Sequence, residues 1–413
     1  MDSLAERSRL AGQLAIARGT SESFGIVLIS RSLLLVCACV IAAIGGPLFA
    51  RDISPKIPAE EQVPIAIMVD IGSGQILHER NADRRFMPAS ITKVMTTYTA
   101  FELIKSGKLR REAVFTMSPE AYRQWRRKGS TMFLGQDARV TVDQLLHGVT
   151  TVSANDGAVV LAEGAAGSVQ GWTALMNQYA QAIGMTNSHF ANPNGWMDDG
   201  KTFVTARDLT KLADAMISRH PGLYRHFVGR QQYTFNGITQ DNHDPLLGEL
   251  RGADGIKTGF TYEAGFGFLG TAERQGRRFV MVVGGTDSGR IRRDAAMAYM
   301  EWAFDAFDTR YLFNAGQAVG DVRVQNGDAF SLEVASDKPI RISVPKGSQT
   351  RLNARIVYDG PLRAPIAADE VVAELVVSGE GVAEARIPLK ATKAVGVAGP
   401  LDRVVNAVMN WFA

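Results

Sequence analysis

Phe86-Met87-Pro88-Ala89-Ser90-Ile91-Thr92-Lys93-Val94-Met95-Thr96 is the stretch around which the rest of the chain is read. A hydroxyl, Ser90, stands three residues before an amine, Lys93, and positions three apart share one face of a helix. Pro88 suits a helix's first turn, and no helix breaker follows until Gly107. The pattern therefore predicts a buried helix with Ser90 at its N-terminal end, running to about Ile104. Ile91, Val94, Met95 and Tyr98 read as core. A lysine among them is desolvated, which lowers its pKa and makes it a base near neutral pH. Backbone N–H groups at the helix start can hold a developing oxyanion. A lone Ser-x-x-Lys arises easily by chance, so the chemistry needs support from elsewhere in the chain.

Outward from that helix, Ile65 to Val69 is a continuous apolar run, followed by the turn Asp70-Ile71-Gly72-Ser73-Gly74 and an extended stretch to Glu79. This predicts a hairpin with a buried first strand. Lys108 to Thr141 reads as short strands and loops, Ser130 to Leu134 among them. Helices are predicted from Val142 to Gly148, Val159 to Ala166 and Trp172 to Gly184, then a turn-rich loop from Asn187 to Gly200. Thr205 with Asp208 reads as a helix N-cap. Gly255 to Leu269 and Arg278 to Gly284 read as strands, and Arg293 to Phe307 as a closing helix. The fold class is α+β, an antiparallel sheet flanked by helices with a helical insertion.

From about Gly316 the helical periodicity stops. Short alternating stretches, among them Ile340 to Val344, predict a small all-β domain over residues 316–392. It carries no cluster of titratable groups, which gives it a structural or spacer role. The segment 400–413 reads as an amphipathic helix with Leu401, Val404, Val405, Val408, Trp411 and Phe412 on one face. That face suits a membrane surface or packing on the β-domain.

The chain has 413 residues and a net charge of +3, with Lys and Arg dispersed apart from Arg126-Arg127-Lys128 and Arg290 to Arg293. Nothing here is the footprint of a nucleic-acid partner. Leu33 to Ile44 is an apolar run after Arg31, ending in small residues before Ala50, so residues 1–50 read as a secretory signal or an N-terminal membrane segment. Either places the body outside the cytoplasm, on the periplasmic side of the membrane. The two cysteines, Cys37 and Cys39, fall in this run, leaving the body without a thiol. The six histidines show no metal-ligand spacing, and no metal or cofactor is expected. Asp156 and Asp208 read as loop anchors or caps, and Trp125 and Trp172 as core or cleft wall.

Two further triplets supply the support that Ser90 needs. Ser153-Ala154-Asn155 falls between two helical segments, where a hydroxyl and an amide can point into a cleft. Lys257-Thr258-Gly259 falls in a predicted strand. A strand edge offers backbone groups to an extended peptide, and Gly259 lets that peptide approach closely. Ser-x-x-Lys, Ser-x-Asn and Lys-Thr-Gly in this order form a recognised set. With Asp254-Gly255-Ile256, Thr205-Ala206-Arg207-Asp208 and His189-Phe190-Ala191-Asn192-Pro193-Asn194-Gly195 around them, the chain resembles the low-molecular-mass penicillin-binding proteins of the serine D-alanyl-D-alanine carboxypeptidase family. The resemblance spans Pro64 to Phe307, within a catalytic domain placed at 55–312. The β-rich region and amphipathic tail fit longer members anchored to the outer face of the cytoplasmic membrane.

The resemblance implies roles. Ser90 is acylated by the carbonyl between two D-alanines of a peptidoglycan stem peptide, and Lys93 takes its proton. Ser153 relays a proton to the leaving amine, and Asn155 contacts the substrate amide and Lys93. Lys257, Thr258 and Arg292 receive the terminal carboxylate. The N–H groups of Ser90 and Phe260 form the oxyanion hole, and β-lactams become covalent inhibitors. Departures from the family pattern are Ala154, Gly157, Trp196 and Lys201, and these bear on substrate fit. The alternatives are a β-lactamase, against whose class A form the absence of a glutamate in Asn187 to Gly200 argues, and a D,D-endopeptidase, whose family members usually lack the β-domain.

Overall fold

The computed structural model describes residues 55–399, apart from Ala59. The apolar run with Cys37 and Cys39 and the tail 400–413 lie outside the described residues. Among the described residues no helix is long and apolar enough to cross a membrane.

The described chain forms two compact units, one holding Lys56–Asn314 with Pro339–Lys346, the other holding Ala315–Lys338 and the chain from Gly347 onward. The first is built on a five-stranded antiparallel sheet. Its order is Gln75–Arg80, Ile65–Asp70, Arg277–Thr286, Gly265–Arg274, Ala253–Thr261. Successive side chains on a strand point to opposite faces. Ile65, Ile67 and Val69 therefore join one core with Tyr98, Phe101 and Leu209. Ala66 and Met68 join the other with Phe279, Tyr299 and Met300. Both faces are covered, which is why Ile65 to Val69 is apolar at every position. Ala253–Thr261 has only one strand neighbour, so one of its sides is an open edge.

The helix Thr92–Lys105 is preceded by a 3₁₀ turn, Ala89–Ile91, which carries Ser90. The helices Val142–Thr151, Asn155–Ala166 and Val169–Ala182 follow. Thr205 caps Ala206–Arg219, its side chain accepting from Asp208 N. Several regions differ from the sequence expectation, and Gly255 to Leu269, read as one strand, is the two strands Ala253–Thr261 and Gly265–Arg274. The segment Pro119–Trp125 is a helix, capped by Ser118 with Pro119 in its first turn. Ser130 to Leu134 is not a strand. A short helix, Pro221–Phe227, and a hairpin, Gln232–Phe235 with Ile238–Asp241, fill a stretch whose sequence pattern predicts no element. Asn236-Gly237 makes the hairpin turn, a pairing whose backbone preference for positive φ is a known hairpin signal.

The closing helix spans Gly289–Asp305, starting earlier than expected because Ser288 caps it through Ile291 N. Phe307–Phe313 is then a strand and pairs with Ile340–Pro345. That second strand, read from sequence with the 316–392 domain, belongs to the first unit. The second unit is a β-structure of order Leu352–Val357, Val371–Gly379, Val382–Ala391, Ser331–Ala335, Ala318–Gln325, Leu362–Arg363.

Candidate active site

Lys93 is the hub. Its ammonium is buried, 1% exposed, and donates to Ser90 Oγ at 3.0 Å, Asn155 Oδ1 at 2.7 Å and the Asn194 carbonyl at 2.6 Å. Three acceptors saturate the three N–H donors of a lysine. Burial first, then the nearby Lys257 charge, holds Lys93 well below the ordinary lysine range, while Asp156 opposes the shift. That shift favours the neutral amine, the form that can accept a proton from a hydroxyl it touches.

Each acceptor is held by its own element. Ser90 is half-buried in its 3₁₀ turn, behind Ala89 at φ +49°. Asn155 opens the helix Asn155–Ala166. Its Nδ2 donates to the Lys128 carbonyl at 2.9 Å, and its backbone N–H to that of Ser130 at 2.8 Å. Lys128 in turn sits over the rings of Trp125 and Trp196, 5.0 and 4.9 Å from their centroids. These cation–π contacts order the loop that faces Asn155. Trp196, a departure from the family pattern, thus has a partner in Lys128, and Lys128 is no freely solvated charge. Asn194, within the His189 to Gly195 stretch, joins the site through a backbone carbonyl that no reading of its side chain assigns. Its turn is braced by Asn192, whose Oδ1 accepts from Gly195 N at 2.6 Å, and by Thr96 Oγ1, which donates to the Pro193 carbonyl at 2.6 Å. Lys93 and Thr96, one helical turn apart, pin the same loop.

Two glycines permit this convergence. A Cβ on Gly195, at φ +75°, would stand 1.7 Å from the Ala89 carbonyl oxygen. A Cβ on Gly259 would stand 2.4 Å from the Pro88 carbonyl oxygen. Gly259 therefore admits the Ser90 turn against the edge strand. The sequence reading has Gly259 admit a peptide; the contact seen here is with the chain itself.

Ser153 is buried between its two helices at φ +61°, a left-handed conformation uncommon for serine. Asp156 is an anchor, its carboxylate accepting from the N–H groups of Met132, Leu134 and Gly157 at 3.0, 3.0 and 2.8 Å. Asp208 accepts from Asn187 N and Ser188 Oγ, both at 2.9 Å.

Lys257 and Thr258 lie buried on the edge strand. Lys257 Nζ donates to the Thr258 carbonyl at 3.2 Å. Burial lowers its pKa to about 7; the Asp244 carboxylate opposes that shift and Arg292 adds to it. Arg292, in the first turn of Gly289–Asp305, is thereby brought into electrostatic range of Lys257, and its guanidinium lies 5.8 Å from the Phe266 ring. Phe260 stacks on Phe266 at 4.1 Å and remains 43% exposed. Asp244 is a further member that the motifs do not reveal. Its Oδ1 accepts from Leu246 N at 2.8 Å, and burial raises its pKa to about 6. The Asx-Pro pair Asp244-Pro245 was the available signal.

An antiparallel sheet with helices on both faces, and a serine–lysine pair held where helix, loop and edge strand meet, define the class of penicillin-binding serine hydrolases. A family model described as D-alanyl-D-alanine carboxypeptidase matches residues 53–288, and one described as penicillin-binding protein 5, C-terminal domain, matches 307–397. The D-alanyl-D-alanine carboxypeptidase DacA of Haemophilus influenzae is 33% identical over 348 residues, covering 84% of this chain and 87% of that protein. The DacA of Escherichia coli K12 is 34% identical over 323 residues, covering 77% and 79%. The crystal structure of penicillin binding protein 5 from Haemophilus influenzae superposes with a TM-score of 0.71 at 32% identity, covering 83% of this chain and 98% of that one. The chain belongs to the D-alanyl-D-alanine carboxypeptidase family.

Proposed function

We propose that this protein is a serine D-alanyl-D-alanine carboxypeptidase that trims peptidoglycan stem peptides, with Ser90 as its nucleophile. The observation that carries the reading is the 3.0 Å contact between Ser90 Oγ and the buried Lys93 amine. Ser90 Oγ attacks the carbonyl carbon between the last two D-alanines, and its proton passes to Lys93 Nζ. The developing oxyanion is met by the N–H groups of Ser90 and Phe260. The C–N bond then breaks, the amine taking a proton relayed through Ser153, and D-alanine leaves. Water cleaves the remaining ester and frees Ser90. Lys257, Thr258 and Arg292 receive the terminal carboxylate, while Asn155 holds Lys93 and the substrate amide.

β-Lactams enter the same first step and remain as esters. Penicillin-binding protein D2 from Listeria monocytogenes, solved in an ampicillin-bound form, is similar at a TM-score of 0.52 and 29% identity and supports this. The loop Asn187 to Gly200 gives Lys93 a carbonyl, from Asn194, and contains no glutamate. That favours slow deacylation over β-lactamase turnover. The test is mass spectrometry of the intact protein after benzylpenicillin, with D-alanine release measured in parallel. A lasting single adduct, lost with Ser90→Ala together with D-alanine release, is expected. Rapid penicillin hydrolysis, or labelling that survives Ser90→Ala, overturns the reading.

The same proposal places the enzyme outside the cytoplasm, where its substrate lies. It is supported by the apolar run Leu33 to Ile44, and by the amphipathic pattern of 400–413 as a surface anchor. Deleting Leu401 to Ala413 should release it from sedimented membranes. Continued sedimentation would assign the attachment to the N-terminal segment.

A further inference from the structure

On the helix Val142–Thr151, Asp143 and His147 stand one turn apart on one face. The last turn of Pro221–Phe227 brings His226 against them. One ligand atom from each of the three lies within 4.8 Å of the others. His226 Nε2 is 3.1 Å from Asp143 Oδ1, and His147 Nε2 is 3.6 Å from Asp143 Oδ2. Donor atoms bound to zinc at about 2.0–2.2 Å in a tetrahedron stand roughly 3.3 Å apart. The two separations, each to a different oxygen of Asp143, lie on either side of that value, and a closing of the 4.8 Å cluster brings one atom from each residue onto an ion. We propose that Asp143, His147 and His226 form a binding site for zinc(II), apart from the serine chemistry.

The donor set chooses the ion. Two imidazoles and one carboxylate suit zinc and its borderline neighbours, and disfavour magnesium and calcium, which take oxygen. Phe227 and Tyr233 wall the site, their ring centroids 4.8 and 5.7 Å from that of His147. Three protein ligands leave the fourth position to water. Arg111, 3.7 Å from Asp143 Oδ1 and 40% exposed, can turn into solvent when the ion arrives. His147 Nδ1 is buried without a hydrogen-bond partner among the described residues. The site thus lacks the outer hydrogen bond of a tight structural centre, and its zinc is exchangeable.

The position gives the ion something to do. Val142–Thr151 leads into Ser153, and Pro221–Phe227 is bonded through Tyr224 Oη to the Asp254 carbonyl of the Lys257 strand, at 3.0 Å. A cation between the two helices braces both walls of the serine site.

The experiment uses tag-free, chelator-stripped protein and follows thermal unfolding with zinc chloride or magnesium chloride, for wild type, His226→Ala and Asp143→Asn. Zinc, and not magnesium, should raise the wild-type Tm. At free zinc about a hundredfold above Kd the folding equilibrium moves about a hundredfold. Both variants should lose the zinc-dependent rise, whatever their Tm without metal. Cobalt(II) substitution of the wild type should give the strong visible absorption of a tetrahedral centre. No zinc-dependent rise in the wild type, or an equal rise in His226→Ala or Asp143→Asn, overturns the proposal.

Discussion

Asn155 Oδ1 lies 2.7 Å from Lys93 Nζ, a bond that ties the second motif to the amine of the first. The amide is neutral, so it orients Lys93 without favouring its charged form as an anion would. Asn155→Asp keeps the size and reverses that balance. A carboxylate here would stabilise the ammonium and raise the Lys93 pKa. Acylation by benzylpenicillin should fall at neutral pH by about tenfold or more, and recover as pH rises. Stopped-flow acylation across pH checks this. An unchanged profile would remove Lys93 as the base.

Lys257 sets the opposite limb. In the proposed role it must be charged to attract a carboxylate, and burial brings its pKa to about 7. In the free enzyme kcat/KM should fall on the acid side as Lys93 gains a proton, and on the alkaline side as Lys257 loses one. Lys257→Arg keeps a charge that does not titrate in this range. The alkaline limb of the variant should therefore move upward, with a lower maximum. A limb that stays in place belongs to another group.

The same lysine weakens the fold. Its pKa falls from 10.5 to about 7 on folding, so between those values the unfolded chain binds more protons. Stability should then rise with pH across that window, and the full penalty is present below about pH 7. Lys257→Met removes it. The variant should be more stable at pH 7 and below by on the order of a few kcal/mol, with the gap closing towards pH 10. Urea midpoints at several pH values measure this, and a pH-independent gap would contradict it.

Gly195→Ala strains a backbone at φ +75° and drives a methyl into the Ala89 carbonyl. The loss should be about 2 kcal/mol or more. Acylation should fall with it, because the displaced turn carries Ser90. Denaturation midpoints and penicillin labelling test the two effects. A variant stable and active as wild type would mean that the turn moves freely.

The sheet and the Ser90 helix were legible because their evidence is local. Ile65 to Val69 and Val280 to Val283 are apolar at every position, and Pro88 marks the helix start. The three motifs were legible through their combination and order, since each alone arises easily by chance. What escaped was set by contacts between distant segments. Asn194 contributes a backbone carbonyl, and a carbonyl has no side-chain signature. Asp244 matters through burial next to Lys257. The pair Phe307–Phe313 and Ile340–Pro345 is joined across an intervening stretch of β-sequence, and alternation alone does not reveal that pairing. His147 and His226 meet through the packing of two helices, which spacing along the chain does not encode. The helix Pro119–Trp125 is different, since Ser118-Pro119-Glu120 was a readable start signal.

At Gly259 the edge strand meets the Pro88 carbonyl with no side chain between them. The spacing between the Ser90 turn and the Lys257 strand is thus a main-chain dimension. Substitutions at the cleft's rim, where Trp196 sits, would retune which peptide or drug it prefers, while Ser90 keeps its distance from the strand. Selection for altered ligands has the walls to work on, whereas the gauge itself shifts only where a glycine such as Gly195 or Gly259 is replaced.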